Sequence, residues 1–144
     1  MYCTLEDILL RFASRDIKEL TQDDNASTEI DTSRTDVAIS DACELIDSKI
    51  FKKYNTPLSP VPNRIKRIAA EIAVYYIYKL RYEATVPEQI EKTFTENIAY
   101  LNAIKNGDEE LAGLELKDGN EFIVLSGCAD FKDAVFSIEE LEKI

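Results

Sequence analysis

The 144 residues contain no histidine and no tryptophan, and a single methionine. Without an imidazole the chain has no Ser-His-Asp or Cys-His catalytic pair and no His-bearing zinc site. Cys3, Cys43 and Cys128 are odd in number and far apart. With no paired spacing for a metal or a redox disulfide, they read as buried thiols. All four glycines, Gly107, Gly113, Gly119 and Gly127, lie beyond residue 106, so the glycine loops that cradle phosphates in nucleotide-binding proteins are absent. Long apolar runs are missing as well. The longest, residues 72–78, is far short of a bilayer span, and Glu6 and Asp7 precede any hydrophobic stretch at the N-terminus. These features predict a cytosolic chain with no membrane partner. An enzyme would have to draw on the three thiols or on carboxylates at random spacing, and Cys43 falls among apolar positions where a thiol is inert packing. The reading is therefore not an enzyme, with no cofactor and no metal.

What is present is a soluble globular mixture, 45% apolar and 31% charged, of a length that suits one domain with its own core. The net charge of -11 argues against nonspecific binding to DNA or lipid. Its distribution is uneven: residues 1–48 carry -8, residues 49–81 carry +7 and residues 82–144 carry -10. A basic middle lies between two acidic flanks.

Apolar periodicity predicts four principal helices. The first covers about residues 4–13, opened by a Thr4/Asp7 capping box, with Leu5, Ile8, Leu9 and Phe12 on one stripe. A turn of helix at residues 17–20 precedes a polar stretch, 21–29. Its Asp/Asn cluster lacks the glycine and the distant glutamate of a calcium loop and reads as solvated. The second helix is predicted to start after Thr32 or Ser33 and run to about Lys53, with Val37, Ile39, Ala42, Cys43, Ile46 and Ile50 facing the core. Prolines at 57, 60 and 62 make a stiff connection. A third helix, from Pro62 to about Arg81, carries the cleanest stripe: Ile65, Ile68, Ala69, Ile72, Ala73, Tyr76 and Leu80. The fourth starts at Pro87 and ends on a left-handed cap at Gly107. Beyond it, residues 121–125 and 134–136 are strand candidates, and Ser137 with Glu140 opens a final half-helix carrying Ile138 and Leu141.

Lys49, Lys52 and Lys53 close the second helix, where cations complement the dipole. Arg64, Lys66 and Arg67 instead open the third, where the dipole disfavours them by a few tenths of a kcal/mol each. A partner anion and three solvated side chains are both consistent with that placement. Since the flanks would repel a duplex, carboxylates of another protein suit these cations better than phosphates. If the acidic faces of one copy meet the basic helix start of the next, the contact is head-to-tail and a closing rotation makes a ring. Tyr75, Tyr78 and Tyr82 are candidate anchors of such a contact and equally candidate core tyrosines, with the core reading favoured for Tyr75.

Three stretches carry a family resemblance: Met1-Tyr2-Cys3-Thr4-Leu5-Glu6-Asp7-Ile8-Leu9-Leu10-Arg11-Phe12; residues 42–50 followed by Lys53-Tyr54-Asn55-Thr56-Pro57-Leu58; and Val61-Pro62-Asn63-Arg64-Ile65-Lys66-Arg67-Ile68-Ala69-Ala70-Glu71-Ile72-Ala73. Together they resemble the phage Mu-type small head-gene proteins. Residues 100–107 and Val135-Phe136-Ser137 with Leu141 extend the resemblance over nearly the whole chain. That family is similar to head-tail connector (head-completion) proteins, helical adaptors that assemble as rings on the portal. In the family the terminal Phe is often flanked by basic residues and the end is aromatic, whereas here Ala134, Ile138 and Ile144 stand in those places. The resemblance therefore does not imply electrostatic docking of the tail in the family's manner.

Residues and resemblance together predict a mainly α fold, with a four-helix connector-like domain at 1–107 and a small C-terminal β or extended arm at 108–144. The arm's Phe122 and Val124 suit addition to a partner's sheet edge or a local hairpin, and Phe136 is a further contact candidate. Implied partners are further copies in a ring that forms on the portal, the portal itself and a tail-side joining protein, with DNA at most passing through. The implied location is the virion, after assembly in the host cytoplasm. An acidic inhibitor or DNA mimic acting on a host protein is the competing reading.

Overall fold

The structure, a computed structural model, describes residues 1–22, 28–81 and 84–117. Among them are five helices: α1 (Leu5–Leu9), α2 (Ser14–Thr21), α3 (Thr32–Ile50), α4 (Asn63–Leu80) and α5 (Glu88–Asn106). No strand occurs among the described residues. The strand candidates at 121–125 and 134–136 and the final half-helix lie outside them.

The local signals explain most of the helix ends. The Thr4/Asp7 capping box is formed, with Asp7 N donating to Thr4 Oγ1 at 3.3 Å and Thr4 N to Asp7 Oδ2 at 2.9 Å. However, α1 stops at Leu9 rather than near residue 13. Leu10 is exposed, the Arg11 guanidinium donates to Asp7 O at 2.8 Å, and Phe12 turns back onto the core. The turn expected at residues 17–20 grows into α2, which buries Ile17, Leu20 and Thr21. Asp31 caps α3, its carboxylate accepting from Ser33 N (2.9 Å) and Arg34 N (3.3 Å), so the helix opens at the residue expected as its cap. Helix α5 ends as predicted on Gly107, at φ 94°, whose amide donates to Ala103 O at 3.0 Å.

Two contacts set the direction of the long helices. Asp31 N donates to Thr21 Oγ1 at 3.3 Å, and the Arg81 guanidinium donates to Glu19 O. The start of α3 and the end of α4 thus meet the same end of α2, and α4 runs antiparallel to α3. Contacts of α5 with α4 advance along one helix as they retreat along the other, at Phe94 with Tyr75, Asn97 with Glu71 and Tyr100 with Arg64. Helix α4 packs against all four other helices, most extensively against α3. It accordingly buries more than one stripe: Ile65, Ile68, Ala69, Ala70, Ile72, Ala73, Val74 and Ile77.

Two stripe residues fall outside the core. Val37 is 51% exposed, because α3 buries Thr35, Ala38, Ile39, Ala42, Ile46 and Ile50, and Val37 lies two residues, about 200° of turn, from both Thr35 and Ile39. Leu80 is 47% exposed at the last residue of α4, where Ile77 makes the final buried contact.

Two buried tyrosines fasten irregular backbone to this bundle. Tyr2 donates its hydroxyl proton to Asp47 and accepts from Leu58 N at 3.0 Å, within the proline-rich connection. Tyr54 accepts from Leu111 N at 2.9 Å, and Lys117 N donates to Lys53 O at 2.8 Å, so residues 111–117 lie against the segment that follows α3. Tyr54→Phe removes the acceptor of a buried amide and should lower unfolding free energy by about 1–3 kcal/mol in urea titration. An unchanged midpoint would show that this bond does not hold residues 111–117 in place.

Candidate interaction surface at the start of helix α4

Pro62 is the N-cap of α4 and supplies no side-chain cap, and the first turn carries no acid. Its exposed amides and the positive end of the dipole therefore face the same region as Arg64, Lys66 and Arg67. All three side chains are exposed, and they sit at the end of the bundle where α3 and α5 finish.

Two of the three cations have partners within the chain. Arg64 lies over the Tyr100 ring, 3.6 Å from its centroid, in a cation–π contact. Tyr100 titrates above the ordinary tyrosine value because of burial, with Arg64 opposing the shift and Glu109 adding to it. Arg67 Nε lies 3.5 Å from Glu71 Oε1, one turn on, and Glu71 Oε2 accepts from Asn97 Nδ2 at 2.7 Å. The anion expected from a partner is thus met in part by α4 itself, in the weaker order with the cation N-terminal to the acid. Lys66 has no ion-pair partner among the described residues.

Arg11, from the turn after α1, joins this group. With Asn63, Arg64 and Arg67 it lines a depression of about 500 Å³. An adjoining depression of about 530 Å³ shares Arg11 and Arg67 and reaches Phe12, Glu71, Gln89 and Ile90. Among the described residues, Glu71 is the one acid lining either of them. The result is a groove with guanidinium groups at one end and apolar side chains toward the start of α5.

The structure does not bring Tyr78 to this place. It lies fourteen residues along α4 from Arg64, about 21 Å at the helical rise, half-buried beside Asp16 and Glu19 of α2. Burial, followed by those two acids, raises its pKa. Tyr75 stacks on Phe94 at 3.9 Å and serves the packing of α4 on α5. Tyr82, Phe122, Val124 and Phe136 lie outside the described residues. Arg11 and Tyr100 were not legible as site residues: Arg11 is one cation in an acid-rich segment, far away in sequence, and Tyr100 falls beside the apolar stripe of its helix.

Among the described residues no group of three or more acids or cysteines is placed to hold a metal ion, and no helix is long and apolar enough to cross a membrane. Cys3 and Cys43 are free thiols; Cys3 is buried, and half-buried Cys43 accepts from Tyr2 N at 3.2 Å. Burial pushes Cys3 up to about 12 from 9.0. The folded protein therefore keeps a proton that the unfolded chain releases, a contribution intact below pH 9.0 and lost as pH rises toward about 12. Peptide mapping after alkylation at about pH 8 should find Cys3 unmodified in the native protein and modified in urea. Rapid native labelling of Cys3 would contradict this burial.

The sequence profile of the family described as Bacteriophage Mu, Gp36 matches residues 2–121. Gene product J of Escherichia phage Mu is 26% identical over 106 residues, which cover 74% of this chain and 72% of that protein. The Mu-like prophage FluMu protein gp36 of Haemophilus influenzae is 24% identical over 123 residues, 85% of this chain and 82% of that protein.

Proposed function

The chain belongs to the Bacteriophage Mu Gp36 family, and from that premise we propose that it is a structural component of the virion, a head-tail connector that joins copies into a ring on the portal. Its work is surface complementarity, with no bond made or broken. The observation that carries this reading is the outward-facing basic start of α4 on a chain of net charge -11. A second copy brings the opposite sign: Asp36, Asp41 and Glu44 lie exposed on α3 around exposed Val37. The start of α4 and the start of α3 lie at opposite ends of the antiparallel pair, which supplies the polarity a head-to-tail contact needs. An apolar side chain with acids beside it is also a better docking surface than charge alone, since exposed ion pairs are worth about 0.2–1 kcal/mol each. A chain of this kind stays monomeric in dilute solution when the portal templates the ring.

Mixing with the purified portal of the same phage tests the reading, with sedimentation as readout. Native protein should co-sediment with portal, and the triple variant Arg64→Glu, Lys66→Glu, Arg67→Glu should bind at least about tenfold more weakly while keeping its helical circular dichroism. Failure of the native protein to bind portal, or full binding by the triple variant, would contradict it. Selective capture of a nucleic-acid enzyme instead would favour an acidic inhibitor.

A further inference from the structure

The groove at the start of α4 has a composition that suits one kind of occupant. Its charged end holds Arg11, Arg64 and Arg67 against Glu71, the one acid among the described lining residues, and its other end is lined by half-buried Phe12 and Ile90. The three guanidinium groups keep unused donors. Arg11 spends one on Asp7 O, Arg67 directs Nε at Glu71, and Arg64 lies over the Tyr100 ring. A ligand for such a place carries several carboxylates beside apolar side chains. A nucleic-acid backbone supplies no apolar groups and meets Glu71 and a net charge of -11.

We propose that this groove docks residues 136–144 of this chain, Phe136-Ser137-Ile138-Glu139-Glu140-Leu141-Glu142-Lys143-Ile144. Within nine residues the segment offers Glu139, Glu140 and Glu142 for the guanidinium groups, and Phe136, Ile138 and Leu141 for Phe12 and Ile90. Other segments outside the described residues match less well. Residues 23–27 have acids and no large apolar side chain, and in residues 118–135 the apolar run at 122–125 has two acids before it, Asp118 and Glu121, and none interleaved with it, against three glutamates interleaved with apolar residues in 136–144. Eighteen residues separate Lys117 from Phe136. Extended, they span up to about 60 Å, enough to reach the groove of the same copy or of a neighbour. The inference rests on the reading of the α4 start as an interaction surface. It does not require the portal.

The test places a photo-crosslinking phenylalanine analogue at exposed Gln89 in the full chain and identifies the captured peptide by mass spectrometry after trypsin. Capture of peptide 133–143 is the expected result, whether it lies in the same copy or an adjacent one. The variant Glu139→Gln, Glu140→Gln, Glu142→Gln should reduce that capture about tenfold, as should ionic strength near 1 M, where charges are screened within about 3 Å. The same analogue at Val37 should not capture it. Capture of a different peptide, no capture, or an undiminished yield in the triple Gln variant would overturn the proposal. Loss of the crosslink with portal joining intact removes this segment and leaves the connector reading standing; loss of portal joining with the crosslink intact does the reverse.

Discussion

Helix α4 is enclosed by the other four helices, and that enclosure decides which of its residues can act outside the fold. Its buried positions are Ile, Val and Ala, with Ala69, Ala70 and Ala73 small enough to let neighbours approach closely. Each branched side chain held there contributes about 1.5–3 kcal/mol of transfer free energy, so the helix is the least replaceable element of the domain. What remains accessible is one edge and the two ends. The first turn, with no capping side chain and three cations, is the place where buried framework and exposed charge meet.

The charge map gains its meaning from this geometry. Along the chain, the basic segment merely separates two acidic ones. Folded, the antiparallel run of α3 and α4 puts the cations at one end and spreads the exposed acids along α3, Asp36 toward the other end, Asp41 at mid-helix and Glu44 just past it. The molecule is polar in the sense that a self-complementary, head-to-tail assembly requires. Arg64 and Arg67 are also held in place within the chain, by Tyr100 and Glu71, which would reduce the side-chain freedom lost in the proposed docking.

Much of the fold was legible in the sequence because its long helices obey simple rules. The long helices α3, α4 and α5, the capping box at Thr4 and the glycine stop at Gly107 all appear in the structure. Helix α2 was read as a single turn, since eight residues give periodicity little to act on. Val37 falls outside the core because it stands two residues before Ile39, off the three- and four-residue steps that join Ile39, Ala42, Ile46 and Ile50. The candidate site was legible only in part. Arg64, Lys66 and Arg67 stand out by their clash with the helix dipole, whereas Arg11, Phe12 and Ile90 join them only through tertiary packing. Tyr2 and Tyr54 were equally silent, because a tyrosine that serves a distant backbone amide leaves no local pattern.

The central claim is that the start of α4 is an outward face kept for a neighbouring copy. Electron cryomicroscopy of the portal vertex carrying this protein tests it most directly. The account predicts a ring in which Arg64, Lys66 and Arg67 of each copy sit against acidic side chains of the next. A vertex-bound protein whose α4 start faces only solvent, or a particle that lacks the protein altogether, would contradict it.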